Sequence, residues 1–145
     1  MDKHTIAGFG VFILSFTISP LCASAELRID CPAKLERDAV QITTVPEGWG
    51  AYTPDFLRLH SVGVMFGAPS TGLEAKPYSD VNRKDGHTAR WTFSEDDEKW
   101  ISCQYGHGGE LMLTKKLSEK TTACTAIYTK NKFGQMDIDF RCTSS

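Results

Sequence analysis

The sequence lacks the short motifs that mark the common catalytic and metal sites. It has no CxxC pair, no HExxH and no GxSxG, so zinc sites with these spacings and elbow-type serine hydrolases are not indicated. Its 16 Lys and Arg residues are offset by 18 Asp and Glu residues and form no basic stripe, which argues against nucleic acid as a partner. We therefore predict a protein that is not an enzyme and that has no cofactor and no metal.

Long apolar runs are also scarce, and the one that occurs lies at the start of the chain. Residues 6–18 are largely apolar, but their Gly, Ser and Thr make the run too short to span a bilayer. The small residues of Ala23-Ser24-Ala25 follow, as in a signal-peptidase cleavage site. We predict a signal peptide over residues 1–25, cleaved before Glu26, and a periplasmic or secreted protein.

Two alternatives to a cleaved signal remain at this point. One is a retained membrane anchor, and the other is a lipoprotein attached through Cys22, which the bulky Leu21 before it disfavours. With a cleaved signal, no membrane span remains in the mature chain, residues 26–145. About 120 residues are enough for one domain with a substantial core.

Removal of the signal also removes Cys22 and leaves an even number of cysteines, namely Cys31, Cys103, Cys124 and Cys142. In a short exported chain this predicts two disulfides, for which three pairings exist. Strand phase favours Cys31–Cys142 and Cys103–Cys124, because Cys31 and Cys142 each continue an inward-facing apolar face. A zinc site of four cysteines is the alternative, although no two of them have CxxC spacing.

Residues 91–142 show the clearest strand periodicity. Alternate apolar residues occur in two runs, Ile101, Cys103 and Tyr105, then Met136, Ile138, Phe140 and Cys142. Two shorter apolar runs, 111–113 and 124–128, lie between them and are separated by turn residues. A period of two is typical of half-buried antiparallel strands. We predict a four-stranded antiparallel meander.

The upstream sequence predicts further strands. Alternation from Asp38 through Thr44 indicates one strand, and Phe56–Phe66 indicates another that is covered on both faces near its end. Residues 73–86 are polar and are predicted to be irregular, with a strand over 87–93 and a short helix as an alternative at 54–59. The fold class is mostly β: a single antiparallel sheet domain, sandwich-like or a partly open barrel, with six to eight strands, two disulfides and little helix.

The loop 46–54 and its surroundings supply the first candidate binding residues, Trp49, Tyr52 and Phe56. An aromatic loop rich in Gly and Pro can present rigid anchors of the kind that dominate binding hot spots. The alternative is that these rings fold back and fill one end of the sandwich or barrel.

A dense acidic turn and one histidine supply the other candidates. The turn holds Glu95, Asp96, Asp97 and Glu98, and it could steer a basic partner, although it lacks the spacing of a calcium loop. His107 lies among three glycines, where an exposed imidazole could reach a partner or could simply form a hairpin tip.

The order of these landmarks resembles that of a family of small, largely uncharacterised exported proteobacterial proteins with a four-cysteine framework. The matching features are Cys31-Pro32, the turn 66–69, Trp91, the W-x-x-C-x-Y element at 100–105, the leucine-rich strand 111–113, Cys124 and Cys142. The resemblance implies export and the cysteine framework and transfers no activity. Some members of such families are expected to be immunity or inhibitor partners of envelope-acting toxins.

We therefore predict an exported, non-enzymatic domain that binds another envelope or secreted protein, as an inhibitor or immunity-type partner of an envelope-acting hydrolase or toxin. Two alternatives stay open. A small-ligand carrier would need an open apolar cavity within the sheet, and a small hydrolase would need an acid/base pair assembled from distant residues.

Overall fold

The computed structural model describes residues 25–70 and 73–145, so the predicted signal lies outside the described residues except for Ala25. The described part of the chain forms ten strands and one 3-10 helix. These are β1 (Ala25–Ile29), β2 (Lys34–Glu36), the 3-10 helix (Arg37–Ala39), β3 (Phe56–Phe66), β4 (Leu73–Glu74), β5 (Ser79–Arg83), β6 (Gly86–Thr92), β7 (Lys99–Tyr105), β8 (Leu111–Lys116), β9 (Thr121–Lys130) and β10 (Met136–Ser144). The predicted class, mostly β with little helix, is confirmed, with more strands than expected. In these two ranges no helix has the length and hydropathy to span a bilayer.

The strands form two antiparallel sheets. The first sheet has the order β1-β10-β9-β6-β5, and the second has the order β2-β3-β7-β8, with β4 paired to β3. One of the two curls like half of a barrel. The architecture therefore combines the two predicted possibilities, a sandwich and a partly open barrel.

Apolar side chains from both sheets form the core. The second sheet contributes Val62, Val64 and Ile101, and the first contributes residues such as Trp91 and Phe140, all 5 % exposed or less. Tyr128 of β9 joins the sheets, because its hydroxyl donates to the Val62 carbonyl (3.0 Å) and accepts from the Val62 N–H (3.1 Å). The sheets are thus held together by packing and by a paired hydrogen bond.

Strand periodicity predicted several elements correctly. In β7, Ile101, Cys103 and Tyr105 are buried as expected, but Ser102 on the opposite face is buried too. In β10, Phe140 and Cys142 are buried as expected, whereas Met136 is 38 % exposed. The strand at Phe56–Phe66 forms as predicted, and residues 62–65 are all buried, so both faces are covered near its end. The alternative of a helix at 54–59 is wrong.

The predicted meander is wrong in its pairing. β8 pairs with β7 and β9 pairs with β10, but β8 and β9 lie in different sheets. The chain changes sheets at residues 117–120, where Leu117 is buried. Alternation specifies which face of a strand is buried but not which strand lies beside it, so it could not reveal this crossing.

Two upstream predictions are also wrong. Residues 38–45 form no strand: the 3-10 helix ends at Ala39, and Ile42 is 50 % exposed. Without a neighbouring strand the alternation there has no ladder to join. Residues 73–86 are not irregular throughout, because β4 and β5 extend the two sheets at this point.

The two predicted disulfides form, but the favoured pairing was wrong. The bonds are Cys31–Cys103 and Cys124–Cys142. Leu27 is opposite Cys142 in the β1/β10 register, so Cys31 lies four residues further along, about 13 Å at 3.3 Å per residue. Cys124, by contrast, is directly opposite Cys142 on β9, with a Cα–Cα distance of 4.1 Å.

Candidate functional site

The structure separates the candidate binding residues into two groups at opposite ends of the second sheet. β3 and β7 are antiparallel, with Leu59 opposite Tyr105 and Phe66 opposite Lys99. Loop 46–54 and the turn after Tyr105 therefore share one end, and the acidic turn lies at the other. The eleven residues of β3 place the ends on the order of 30 Å apart. We call them the aromatic end and the acidic end.

Loop 46–54 projects its two large rings into solvent. Trp49 and Tyr52 are 76 % and 80 % exposed, so neither fills an end of the sandwich. The loop is fixed at its base, where the Arg37 N–H donates to the Asp55 carbonyl (2.9 Å) and the two side chains form an ion pair. Within the loop the Trp49 N–H donates to the Pro46 carbonyl (3.1 Å). The rings are thus presented from a tied loop.

Phe56 begins β3 between two cations. The Lys34 ammonium lies 5.5 Å from its ring centroid, and the Arg58 guanidinium lies 4.9 Å away. The three side chains share a face because Arg58 is opposite Lys34 in the β2/β3 register. The ring remains 38 % exposed and lies between two cations, of which Lys34 is also paired with Glu36 (2.6 Å).

The turn that carries His107 lies against the start of β3, where the Gly106 N–H donates to the Arg58 carbonyl (3.2 Å). Gly106 has a positive φ of 93°, and a side chain there would collide with the Glu110 carboxylate. That carboxylate accepts the Gly108 N–H (3.1 Å). Its pKa is lowered by its own backbone N–H and that of Gly108, with smaller effects from His107 and His60. His107 itself is exposed.

Two of the four carboxylates of the acidic end, those of Asp97 and Glu98, are engaged by neighbouring groups of the protein. Asp97 accepts the Ser94 N–H (2.9 Å), and Glu98 accepts the Trp100 indole N–H (3.2 Å) and pairs with Lys116 (3.3 Å). The Trp100 hydrogen bond and then Lys116 lower the pKa of Glu98. No group of three metal-type ligands occurs among residues 25–70 and 73–145.

The turn also borders a cleft. This space, of about 360 Å³, lies between the acidic turn, Lys116 and Glu119. It is open to solvent and lined mainly by charged side chains, which suits steering of a basic partner better than enclosure of a small molecule.

Sequence reasoning missed a second cleft, of about 380 Å³, between the outer strands of the two sheets. Leu27 and Ile29 of β1 form one wall and Leu113 of β8 forms the other, with Ile101 and Leu117 also lining it. We call it the edge cleft. The alternation of these residues was readable from the sequence, but no sequence signal showed that β1 and β8 would end their sheets side by side.

Two further histidines, His60 and His87, lie in the described part of the chain, and His60 is near enough to Glu110 to lower the pKa of that carboxyl. His87 stacks on the buried Tyr128 ring, with centroids 4.0 Å apart. His60 lies on β3, near the aromatic end.

Comparison with known proteins gives one match. No curated protein and no solved structure matches the chain. The family model of the type VI secretion system Tli immunity protein matches residues 53–143, which is well over half of the chain and runs from loop 46–54 into β10. Cys31 and Pro32 of the sequence resemblance lie outside the matched residues. The chain therefore belongs to the family of type VI secretion system Tli immunity proteins, which confirms the predicted function of an inhibitor or immunity-type partner of a toxin.

Proposed function

We propose that this immunity protein acts in the periplasm without enzymatic activity and inhibits an envelope-acting toxin by binding it through the aromatic end. The observation that carries the proposal is the exposure of Trp49 and Tyr52 on a loop whose base is tied by the contacts between Arg37 and Asp55. Aromatic side chains dominate the energetics of protein interfaces because they bury a large area at a low entropy cost.

The neighbouring charge adds specificity to this surface. Arg58 and Lys34 flank Phe56, and Arg is enriched among interface hot spots. A toxin surface with acidic groups around an apolar pocket would complement this end. The dense carboxylates of the acidic end, about 30 Å away, would repel an acidic toxin surface and so disfavour approach from that side.

A periplasmic location is supported by the signal-like residues 1–25 and by the two disulfides, because disulfides persist in oxidising compartments. The test is a growth-protection assay in which bacteria produce a type VI secretion toxin directed to their periplasm, with toxins from the bacterium that encodes this protein tried one at a time. The full chain should restore growth, whereas a chain that begins at Glu26 and stays in the cytoplasm should not. Equal protection by both forms would contradict the location.

The binding surface is tested on the purified toxin that the growth assay identifies. Trp49→Ala and Tyr52→Ala should each weaken binding by about 30-fold, the effect of losing a hot spot of about 2 kcal/mol. The controls are Tyr78→Ala and Phe133→Ala, since these rings are 83 % and 75 % exposed and belong to the segments before β5 and after β9, outside loop 46–54 and β3. Similar losses from all four variants, or from none, would remove the aromatic end from the interface.

A further inference from the structure

The edge cleft is bounded by the free edges of both sheets. β1 ends the first sheet and β8 ends the second, and neither has another strand partner on that side among residues 25–70 and 73–145. Residues of both strands line the same cleft. The sandwich is therefore open along this side, where a closed barrel would pair the two edges.

Core-facing side chains are exposed in this opening. Leu27 is opposite Cys142 and Leu113 is opposite Cys103, so each lies on the inward face of its strand. The two cysteines are 1 % and 5 % exposed, whereas the two leucines are 53 % and 44 % exposed. The cleft thus uncovers a strip of the hydrophobic core, an arrangement typical of interaction sites.

The backbone of β8 is also available for pairing. The Leu117 N–H donates to the Lys99 carbonyl, and Lys116 is opposite Trp100. Because N–H directions alternate along a strand, the N–H groups of Met112, Thr114 and Lys116 point away from β7. An outward row of donors and acceptors beside an apolar groove is the arrangement that binds an added strand.

Charge indicates the chemistry of the occupant. Lys115 is opposite Ile101, which puts it on the inward face, and it lines the cleft. Across the cleft, Arg28 is paired with Asp30 and Asp139, whereas Lys115 forms no ion pair within 4 Å in the described part of the chain. An occupant with a carboxylate among its apolar side chains would neutralise this ammonium.

We propose that the edge cleft binds an extended segment of the toxin, which adds a strand along β8, inserts apolar side chains between Leu27 and Leu113, and places a carboxylate at Lys115. This inference rests on the proposed function and adds a second contact surface to it. The aromatic end and the edge cleft would then engage the same partner through different chemistry, one through ring insertion and the other through backbone pairing.

The test is hydrogen exchange of the full exported protein, free and in complex with the toxin identified by growth protection. The expected result is at least tenfold slower exchange in peptides covering 26–29 and 111–116. Unchanged exchange there in a formed complex would overturn the edge-cleft proposal alone. Failure of any complex to form would contradict the proposed function as well. Protection that appears at high protein concentration without toxin would assign the cleft to a second copy and overturn the proposal.

Two variants separate the contribution of the Lys115 charge from that of backbone pairing along β8. Lys115→Glu should weaken toxin binding at least tenfold, and the control Lys132→Glu should not, because Lys132 lies in the β9–β10 turn. Thr114→Pro removes one outward N–H, a position at which an edge strand tolerates proline, and should weaken binding to a similar extent. Unchanged melting temperatures would show that both variants fold. Unchanged affinity in both would overturn the proposal.

Discussion

At the scale of single residues, Lys99 is a charged side chain that lies in the interior of the protein. It is 1 % exposed, and its ammonium donates to the carbonyls of Ser94, Glu119 and Thr121 at 2.7–2.8 Å. All three acceptors are neutral backbone groups, and together they use all three N–H donors. Lys99 thereby joins the acidic turn to the loop where the chain changes sheets.

Lys99→Met should lower the free energy of unfolding by about 3 kcal/mol, because it keeps the side-chain volume but removes a buried hydrogen bond to the Thr121 carbonyl and two part-buried ones to Ser94 and Glu119. Denaturant unfolding measures this change. The control is Lys120→Met, since Lys120 is exposed and should change stability by about 0.5 kcal/mol or less. An equal effect of the two substitutions would contradict the role of Lys99.

Tyr128→Phe should lower stability by about 1–3 kcal/mol at neutral pH, because the Val62 N–H and carbonyl lose their partner. Burial raises the pKa of Tyr128, against a smaller opposing effect of the Val62 hydrogen bond. The Tyr128 hydroxyl therefore ionises at a lower pH in the unfolded state than in the folded state. Its contribution to stability is present below about pH 10 and is lost as the pH rises through the folded pKa.

Thermal unfolding from about pH 8 to pH 11 tests this dependence. The native protein should lose stability more steeply in this interval than Tyr128→Phe. Some slope should remain in the variant, since burial also raises the pKa of Tyr105. Tyr52→Phe is the matched control, because Tyr52 is exposed, and it should leave the curve unchanged.

At the scale of elements, the two disulfides act on different parts of the fold. Cys124–Cys142 joins neighbouring strands within the first sheet. Cys31–Cys103 connects the segment between β1 and β2 to the second sheet and spans 72 residues instead of 18. The chain-entropy model assigns about 3 kcal/mol to the shorter loop and about 4.5 kcal/mol to the longer one.

Peptide mapping checks the pairing directly. Tryptic digestion without reduction should link peptide 121–130 to peptide 142–145, and peptide 29–34 to peptide 100–115. A link between 29–34 and 142–145 would instead support the pairing that strand phase favoured. Replacement of Cys31 and Cys103 by Ser should destabilise the protein more than replacement of Cys124 and Cys142 by Ser, because the Cys31–Cys103 bond closes the longer loop.

Elements were predictable where the sequence itself carried the signal. Alternation defined β3, β7 and β10 because their inward residues pack in one core. It failed at residues 38–45, which have the same pattern but no strand beside them. The disulfide pairing and the separation of the two candidate ends depend on the register between distant strands, such as Phe66 with Lys99, and a single sequence does not encode register locally.

At the scale of the whole molecule, the two proposed recognition surfaces lie on different parts of the fold. The aromatic end is formed by loop 46–54 and the start of β3, whereas the edge cleft lies along β1 and β8. The family match begins at residue 53 and therefore excludes β1, Trp49 and Tyr52. The proposed contacts thus include parts of this chain beyond the matched region.

The mature protein should begin at Glu26, because we propose that residues 1–25 are removed during export. N-terminal sequencing of protein recovered from the periplasm measures this directly. Ala25→Tyr, which replaces the small residue before the expected cut, should slow processing, whereas Leu27→Tyr should not. Recovery of the unprocessed chain from the periplasmic fraction would contradict cleavage.

The pairing of β1 with β10 has a practical consequence for handling the protein. Glu26 lies opposite Thr143, and the Ser145 hydroxyl donates to the Glu95 carboxylate (3.2 Å), so a tether fused at Glu26 or at Ser145 leaves the molecule on the side of the acidic turn. A protein attached to a sensor chip through Ser145 would present Trp49 and Tyr52 to the solution, about 30 Å from the attachment point. Attachment within loop 46–54 would turn the molecule over and cover them.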